Sequence, residues 1–242
     1  ALNYIRLGKA DIIVTGGSEA AVNEPGVGGF SSMKAISTRN DDPKTASRPF
    51  DVNRDGFVIG EGAGALIFEE YEHAKARGAK IYAEVVGGGL SADAHHFTAP
   101  HPEGVGAMKS MRDALKDGGI KPSDIDYINV HGTSTPLGDT AELKGIAAVF
   151  GDAIYDLNIS STKSMTGHLL GATGAVEALA CIMAIDNGVI APTINCEELD
   201  PAIDPKLNLT LNTAQKRNVN YAMSNTFGFG GHNSTVIFGK VR

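Results

Sequence analysis

Three short strings in this chain of 242 residues carry side chains that could do chemistry together. The first, VHGTSTPLGD at 130–139, ends an apolar run in His131, turns at Gly132, and sets the Thr133 and Thr135 hydroxyls on one side of an extended stretch. The second, SSTKSMTGH at 160–168, holds Lys163 in a tight loop and His168 just before a long helical stretch. An imidazole there can donate an N–H to a developing oxyanion or move a proton near neutral pH. The positive end of the following helix disfavours imidazolium, so His168 is expected to stay neutral. The third, SNTFGFGGHN at 224–233, sets Phe227 and Phe229 among glycines. Such a loop can aim a backbone N–H at an oxyanion while a ring opens or closes a pocket. Each string alone also fits an ordinary role: threonines bonding their own loop, a helix-terminal histidine, core aromatics beside a turn.

Elements that could position these groups alternate along the chain. Residues 11–15 and 63–69 read as buried strands, the first of them parallel, and residues 18–60 as irregular. Strands are expected at 81–86, 127–130 and 157–161, and two more at 221–225 and 235–240. Helices are expected at 103–116, 140–150 and 169–186. The first would show Val105, Met108, Met111 and Leu115 on its apolar side, and the last Val176, Leu179, Ile182 and Met183. This alternation predicts α/β layers with a mostly parallel or mixed sheet covered by helices. DIIVTGGS at 11–18 echoes DYINVHGTS at 126–134, a faint sign of two related halves. The glycines of GEGAG at 60–64 precede a strand rather than a helix, which argues against nucleotide binding.

Composition narrows the function classes. With 21 basic and 28 acidic residues the net charge is −7, and no dense basic run exists, so neither nucleic acid nor an anionic membrane is an expected partner. Two cysteines, Cys181 and Cys196, offer no disulfide framework and suit a reducing compartment; Cys181 reads as core. No eighteen-residue apolar run or signal peptide is expected. The opening reads as a helix already under way, so the chain is expected to be the later part of a longer one.

The three strings, with FDVNRDGFVIGEGAG at 50–64, SADAHHFTAPHP at 91–102 and PTIN at 192–195, resemble the condensing enzymes of the thiolase fold, closest to the β-ketoacyl-acyl-carrier-protein synthase II branch. The resemblance covers essentially the whole chain. It implies a layered αβαβα fold, with residues 1–78 the end of a first half and 79–242 the whole second half. It implies decarboxylative condensation of a malonyl thioester with an enzyme-bound acyl chain in fatty-acid synthesis. By that resemblance His131 and His168 hold the malonyl thioester carbonyl, while Lys163 pairs with Glu142. Thr133 and Thr135 meet the pantetheine arm, with His96 and Thr98 near the same tunnel. Phe229 gates the pocket and lends an N–H to the oxyanion hole, with Phe227 beside it. No metal or organic cofactor is implied, since phosphopantetheine belongs to the acyl carrier protein. A homodimer in the cytoplasm is implied. The family's nucleophilic cysteine would fall just upstream of Ala1, and neither Cys181 nor Cys196 lies in its motif, so this chain alone is expected not to condense. A non-catalytic chain-length partner and a polyketide ketosynthase are the rival readings; the retained histidines oppose the first.

Overall fold

Runs of β-branched residues alternate with helical stretches, and glycines or caps mark most boundaries. The computed structural model describes residues 1–241. The chain begins with α1 (Leu2–Arg6), β1 (Ile12–Glu19), α2 (Glu24–Ser32), β2 (Gly62–Glu69) and α3 (Tyr71–Ala76). It continues through β3 (Glu84–Ala92), α4 (Val105–Gly118), β4 (Tyr127–Asn129), α5 (Pro136–Phe150) and β5 (Asn158–Ser160). Then come α6 (Lys163–Thr166), α7 (Thr173–Asn187), β6 (Val189–Ile190), β7 (Gln215–Lys216), β8 (Tyr221–Gly228) and β9 (His232–Gly239).

The main sheet runs β3-β9-β8-β4-β5. The pairs β3–β9 and β9–β8 on one side are antiparallel, while β8–β4 and β4–β5 on the other are parallel. On one face α4 and α5 bury Met111, Leu115, Ile128, Ile146 and Met223. On the other, α7 buries Tyr127, Cys181, Ile185 and Phe238. The far side of α7 meets β1 and β2, which pair antiparallel from Ile12 opposite Glu69 to Glu19 opposite Gly62. The layers therefore stack as helices, sheet, helix, sheet, which meets the expected α/β layering.

Several local expectations fail for identifiable reasons. β1 and β2 are neither parallel nor buried; Val14 is 72% exposed and Ile67 67%. Their apolar runs report one covered face, since α7 packs on one side only. Residues 18–60 are not all irregular: α2 starts at Asn23, whose Oδ1 accepts the Gly26 N–H at 2.9 Å, with a proline in the first turn. Three glycines in α2 hid its pattern. The buried side of α4 is Ala107, Ser110, Met111, Ala114 and Leu115, with Val105 facing out. Close approach decides this, because a Cβ at Gly89 of β3 would sit 1.9 Å from the Ser110 carbonyl oxygen. Likewise the long helix begins at Thr173 after a separate turn, and its core side is Thr173, Ala175, Glu177, Ala178, Cys181, Ala184 and Ile185. Leu179 and Met183 are 40% and 44% exposed. The stretch Leu170–Asn187 is, by length and composition, apolar enough to cross a membrane, contrary to the sequence expectation. Packing between two sheets explains that composition.

Candidate active site

The mouth of the parallel pair β8–β4 holds a cavity of about 550 Å³. His131 leaves the end of β4 and His168 leaves the turn after α6. Their rings meet edge to face with centroids 5.3 Å apart, and both line the cavity. Phe57 packs edge-on against His168 at 5.3 Å, and Phe227 lies 5.8 Å from His131. Thr133 and Thr135 line the same cavity with their hydroxyls 3.0 Å apart; Thr98, Phe229 and Glu142 also line it.

His168 has a defined proton position. Its Nδ1 accepts the Leu170 N–H at 3.2 Å and lies 3.0 Å from Thr173 Oγ1. A backbone N–H can only donate, so the neutral ring carries its proton on Nε2. Burial first, and then the charge of Lys163, pushes His168 down to about 3, so it stays neutral as expected, though not chiefly through the helix dipole. Burial, Lys163 and His168 lower His131 as well, and its Nδ1 has no hydrogen-bond partner among the described residues.

The expected Lys163–Glu142 pair is not formed. Lys163 is 1% exposed and lies behind the cavity, where its Nζ donates to Glu177 Oε1 of α7. Glu142 instead ties down the turn after β4. Its Oε1 accepts the His131 N–H at 2.9 Å and Asn225 Nδ2 at 3.2 Å, and its Oε2 accepts the Gly132 N–H at 2.9 Å. These donors oppose the effect of burial, which nonetheless pushes Glu142 up to about 7. The reason for the exchange is geometric: three N–H groups occupy Glu142, while α7 brings a second carboxylate to the ammonium. Glu177, a lone acid on the buried side of an apolar helix, was the sequence signal for that partner.

His96 is a second correction, since it does not line the cavity. Its Nδ1 accepts the N–H groups of Thr98 and Ala99, both at 3.1 Å, and its ring stacks on Phe97 at 4.4 Å. It shapes the loop that presents Thr98. That loop is tied to the Phe229 turn: Gly230 N–H donates to the Phe97 carbonyl at 2.7 Å, and Asn233 Nδ2 to Asp93 Oδ1 at 2.7 Å. Phe229 is 47% exposed and lies 6.4 Å from Phe30. Phe30 and Phe57 were not singled out from sequence. The Thr133–Thr135 loop is held from beneath by Asp139, whose Oδ1 accepts the Ser134 N–H and whose Oδ2 accepts the Phe50 N–H, both at 3.1 Å. Cys181 and Cys196 are both buried away from the cavity wall, and burial raises both thiols, Cys196 to about 11.

Comparison with known proteins agrees with this geometry. Residues 1–74 match the model of the beta-ketoacyl synthase N-terminal domain, and residues 82–197 that of the C-terminal domain. The chain belongs to the beta-ketoacyl synthase family. It is 52% identical over 240 residues to 3-oxoacyl-[acyl-carrier-protein] synthase 2 of Staphylococcus aureus (strain COL), covering 99% of this chain and 57% of that protein. To the enzyme of the same name from Vibrio harveyi it is 48% identical over 242 residues, 100% of this chain and 58% of the relative. This beta-ketoacyl synthase chain thus spans somewhat over half the length of these relatives. Among solved structures, a beta-ketoacyl synthase from Burkholderia phymatum STM815 superposes with a TM-score of 0.93 at 45% identity, covering 99% of this chain and 57% of that one. A type II PKS acyl-carrier protein in complex with its ketosynthase bound to the hexaketide gives 0.97 at 39% identity, covering 100% and 59%. The thiolase-like fold expected from the resemblance is therefore present.

Proposed function

We propose that the intact protein is a 3-oxoacyl-[acyl-carrier-protein] synthase that condenses malonyl-carrier protein with an enzyme-bound acyl chain. The observation carrying this reading is the pair of half-buried, neutral imidazoles whose ring centroids lie 5.3 Å apart on one cavity wall. Loss of carbon dioxide breaks the bond to the malonyl carboxylate and leaves the electron pair on the thioester enolate. Two N–H donors at the thioester oxygen stabilise that charge and cost no reorganisation, since both rings are already placed. The enolate carbon then forms the new bond to the acyl thioester carbonyl, and the enzyme sulfur leaves as thiolate. That sulfur comes from a cysteine upstream of Ala1, in keeping with the family resemblance; the two cysteines of this chain are buried elsewhere.

Thr133 and Thr135 meet the pantetheine arm, and Phe229 gates the mouth; their places on the cavity wall support these roles. Lys163 acts at a distance by its charge. The partner is an acyl carrier protein, and a solved relative is a ketosynthase in complex with such a carrier. A cytoplasmic homodimer, and a division into halves at 78/79, belong to the same reading. The two matched family models flank that boundary at residues 74 and 82. A chain-length partner would not need both histidines, and the 52% relative is a 3-oxoacyl-[acyl-carrier-protein] synthase 2 whereas the polyketide neighbour is 39% identical.

The test uses the intact enzyme and malonyl-carrier protein. His168→Ala should lower carbon dioxide release at least about 100-fold. Near-normal release would remove His168 from the mechanism. Residues 1–242 alone should form no condensation product, and acyl transfer by them would overturn the placement of the sulfur upstream.

A further inference from the structure

Thr173 stands directly behind His168. It is the first residue of α7 and 1% exposed, on the side of the helix that faces the site. Its Oγ1 lies 3.0 Å from His168 Nδ1, and this hydroxyl makes no other hydrogen bond among the described residues. The same nitrogen already accepts the N–H of Leu170 at 3.2 Å. Leu170 is held in left-handed backbone, at φ 46, a conformation costly for a branched side chain that here aims its N–H at the ring.

These contacts fix the direction of each bond. Because Leu170 can only donate, Nδ1 is an acceptor, and a hydroxyl facing an acceptor must itself donate. Two donors therefore converge on one lone pair. Each draws electron density from the ring, which makes Nδ1 less basic and the Nε2–H a stronger donor. Lys163 behind the ring and His131 in front of it are the other ionisable groups that influence it. Neither bonds Nδ1.

We propose that Thr173 is a positioning residue for His168: its hydroxyl holds the ring in the Nε2–H form and strengthens that N–H toward the enolate oxygen. This deepens, and rests on, the role given to His168 above. A purely structural threonine at the start of α7 would need only its volume.

The experiment is done on the intact enzyme labelled with 15N-histidine. Thr173→Val keeps the branched shape and removes the hydroxyl, and should lower kcat for malonyl decarboxylation about tenfold with KM within about twofold. The His168 Nδ1 resonance should move toward that of a nitrogen lacking a second donor. Thr173→Ser should return both readings to near wild type. If the valine variant folds poorly, Thr173→Ala gives the same comparison with a better helix former. Wild-type kcat in a folded Val or Ala variant, or an unmoved Nδ1 resonance, would overturn the proposal. The two readings fail separately. A fully active His168→Ala enzyme sinks the functional assignment, whereas an inactive His168→Ala enzyme with an unmoved resonance in Thr173→Val sinks only the role of Thr173.

Discussion

The β1–β2 pair and the β4 strand look alike in sequence and behave differently in the fold. All three strands are short apolar runs with glycine close to one end. In β4 every residue is fully buried, between α4 and α5 on one face and α7 on the other. In β1 burial alternates between exposed and intermediate, because α7 and the turn before it make the main contacts with that sheet, from one side. A continuous apolar run thus says that a strand wants cover, and the neighbouring layers decide how much it receives. The functional consequence follows the same line. His131 leaves the rigid, doubly covered strand, and a catalytic donor needs that fixed position.

The sharpest way to break the contrast is to disturb the buried charge beneath the histidines. Lys163→Met leaves Glu177 uncompensated and should cost the intact enzyme about 3–5 kcal/mol in chemical denaturation; Lys163→Met with Glu177→Leu should recover most of it. A single variant costing under about 1 kcal/mol would mean that the pair is not buried as described. Glycine substitutions should separate tight from open packing. Gly89→Ala drives a methyl into the Ser110 carbonyl and should cost about 3 kcal/mol. Gly28→Ala in α2 meets nothing within 4 Å and should gain about 0.5–1 kcal/mol. Equal effects at the two positions would erase the distinction.

The pH dependence of stability gives an effect of intermediate size. The His168 ring takes a proton near its ordinary 6.5 when unfolded, but only near about 3 when folded. Its contribution is therefore complete above pH 6.5 and shrinks as pH falls, by about 2 kcal/mol at pH 5. Denaturation of His168→Gln at pH 7 and pH 5 should show about that much less acid sensitivity than wild type. An unchanged difference would mean that His168 is already protonated in the folded enzyme.

Much of the site was legible because its motifs are contiguous. His131, Thr133 and Thr135 share one strand end, and a single turn carries His168. The strings around Phe227 and Phe229 announced a glycine-flexed aromatic loop. What escaped was pairing across elements. Lys163 was expected beside Glu142, yet α7 supplies Glu177, and Glu142 is taken by the backbone it anchors. His96 was expected near the tunnel with Thr98; it stays off the cavity wall and folds the loop that presents Thr98 there. On α4, Met111 and Leu115 are buried as expected while Val105 is not, and the inward side of α7 was misjudged, because large apolar residues drew attention while the sheet demanded small ones.

The sequence by itself determined the order of the main strands and helices, the α/β layering, and which residue types could act on a thioester. Local spacing and turn chemistry are written in neighbouring residues, so they survive without a partner. Only the tertiary structure decided which carboxylate meets Lys163, which nitrogen of His168 holds the proton, and which strands are covered on both faces. Those outcomes depend on distances between segments far apart in the chain. No periodicity records such distances, because they are set by how closely glycine-bearing strands let the helices approach.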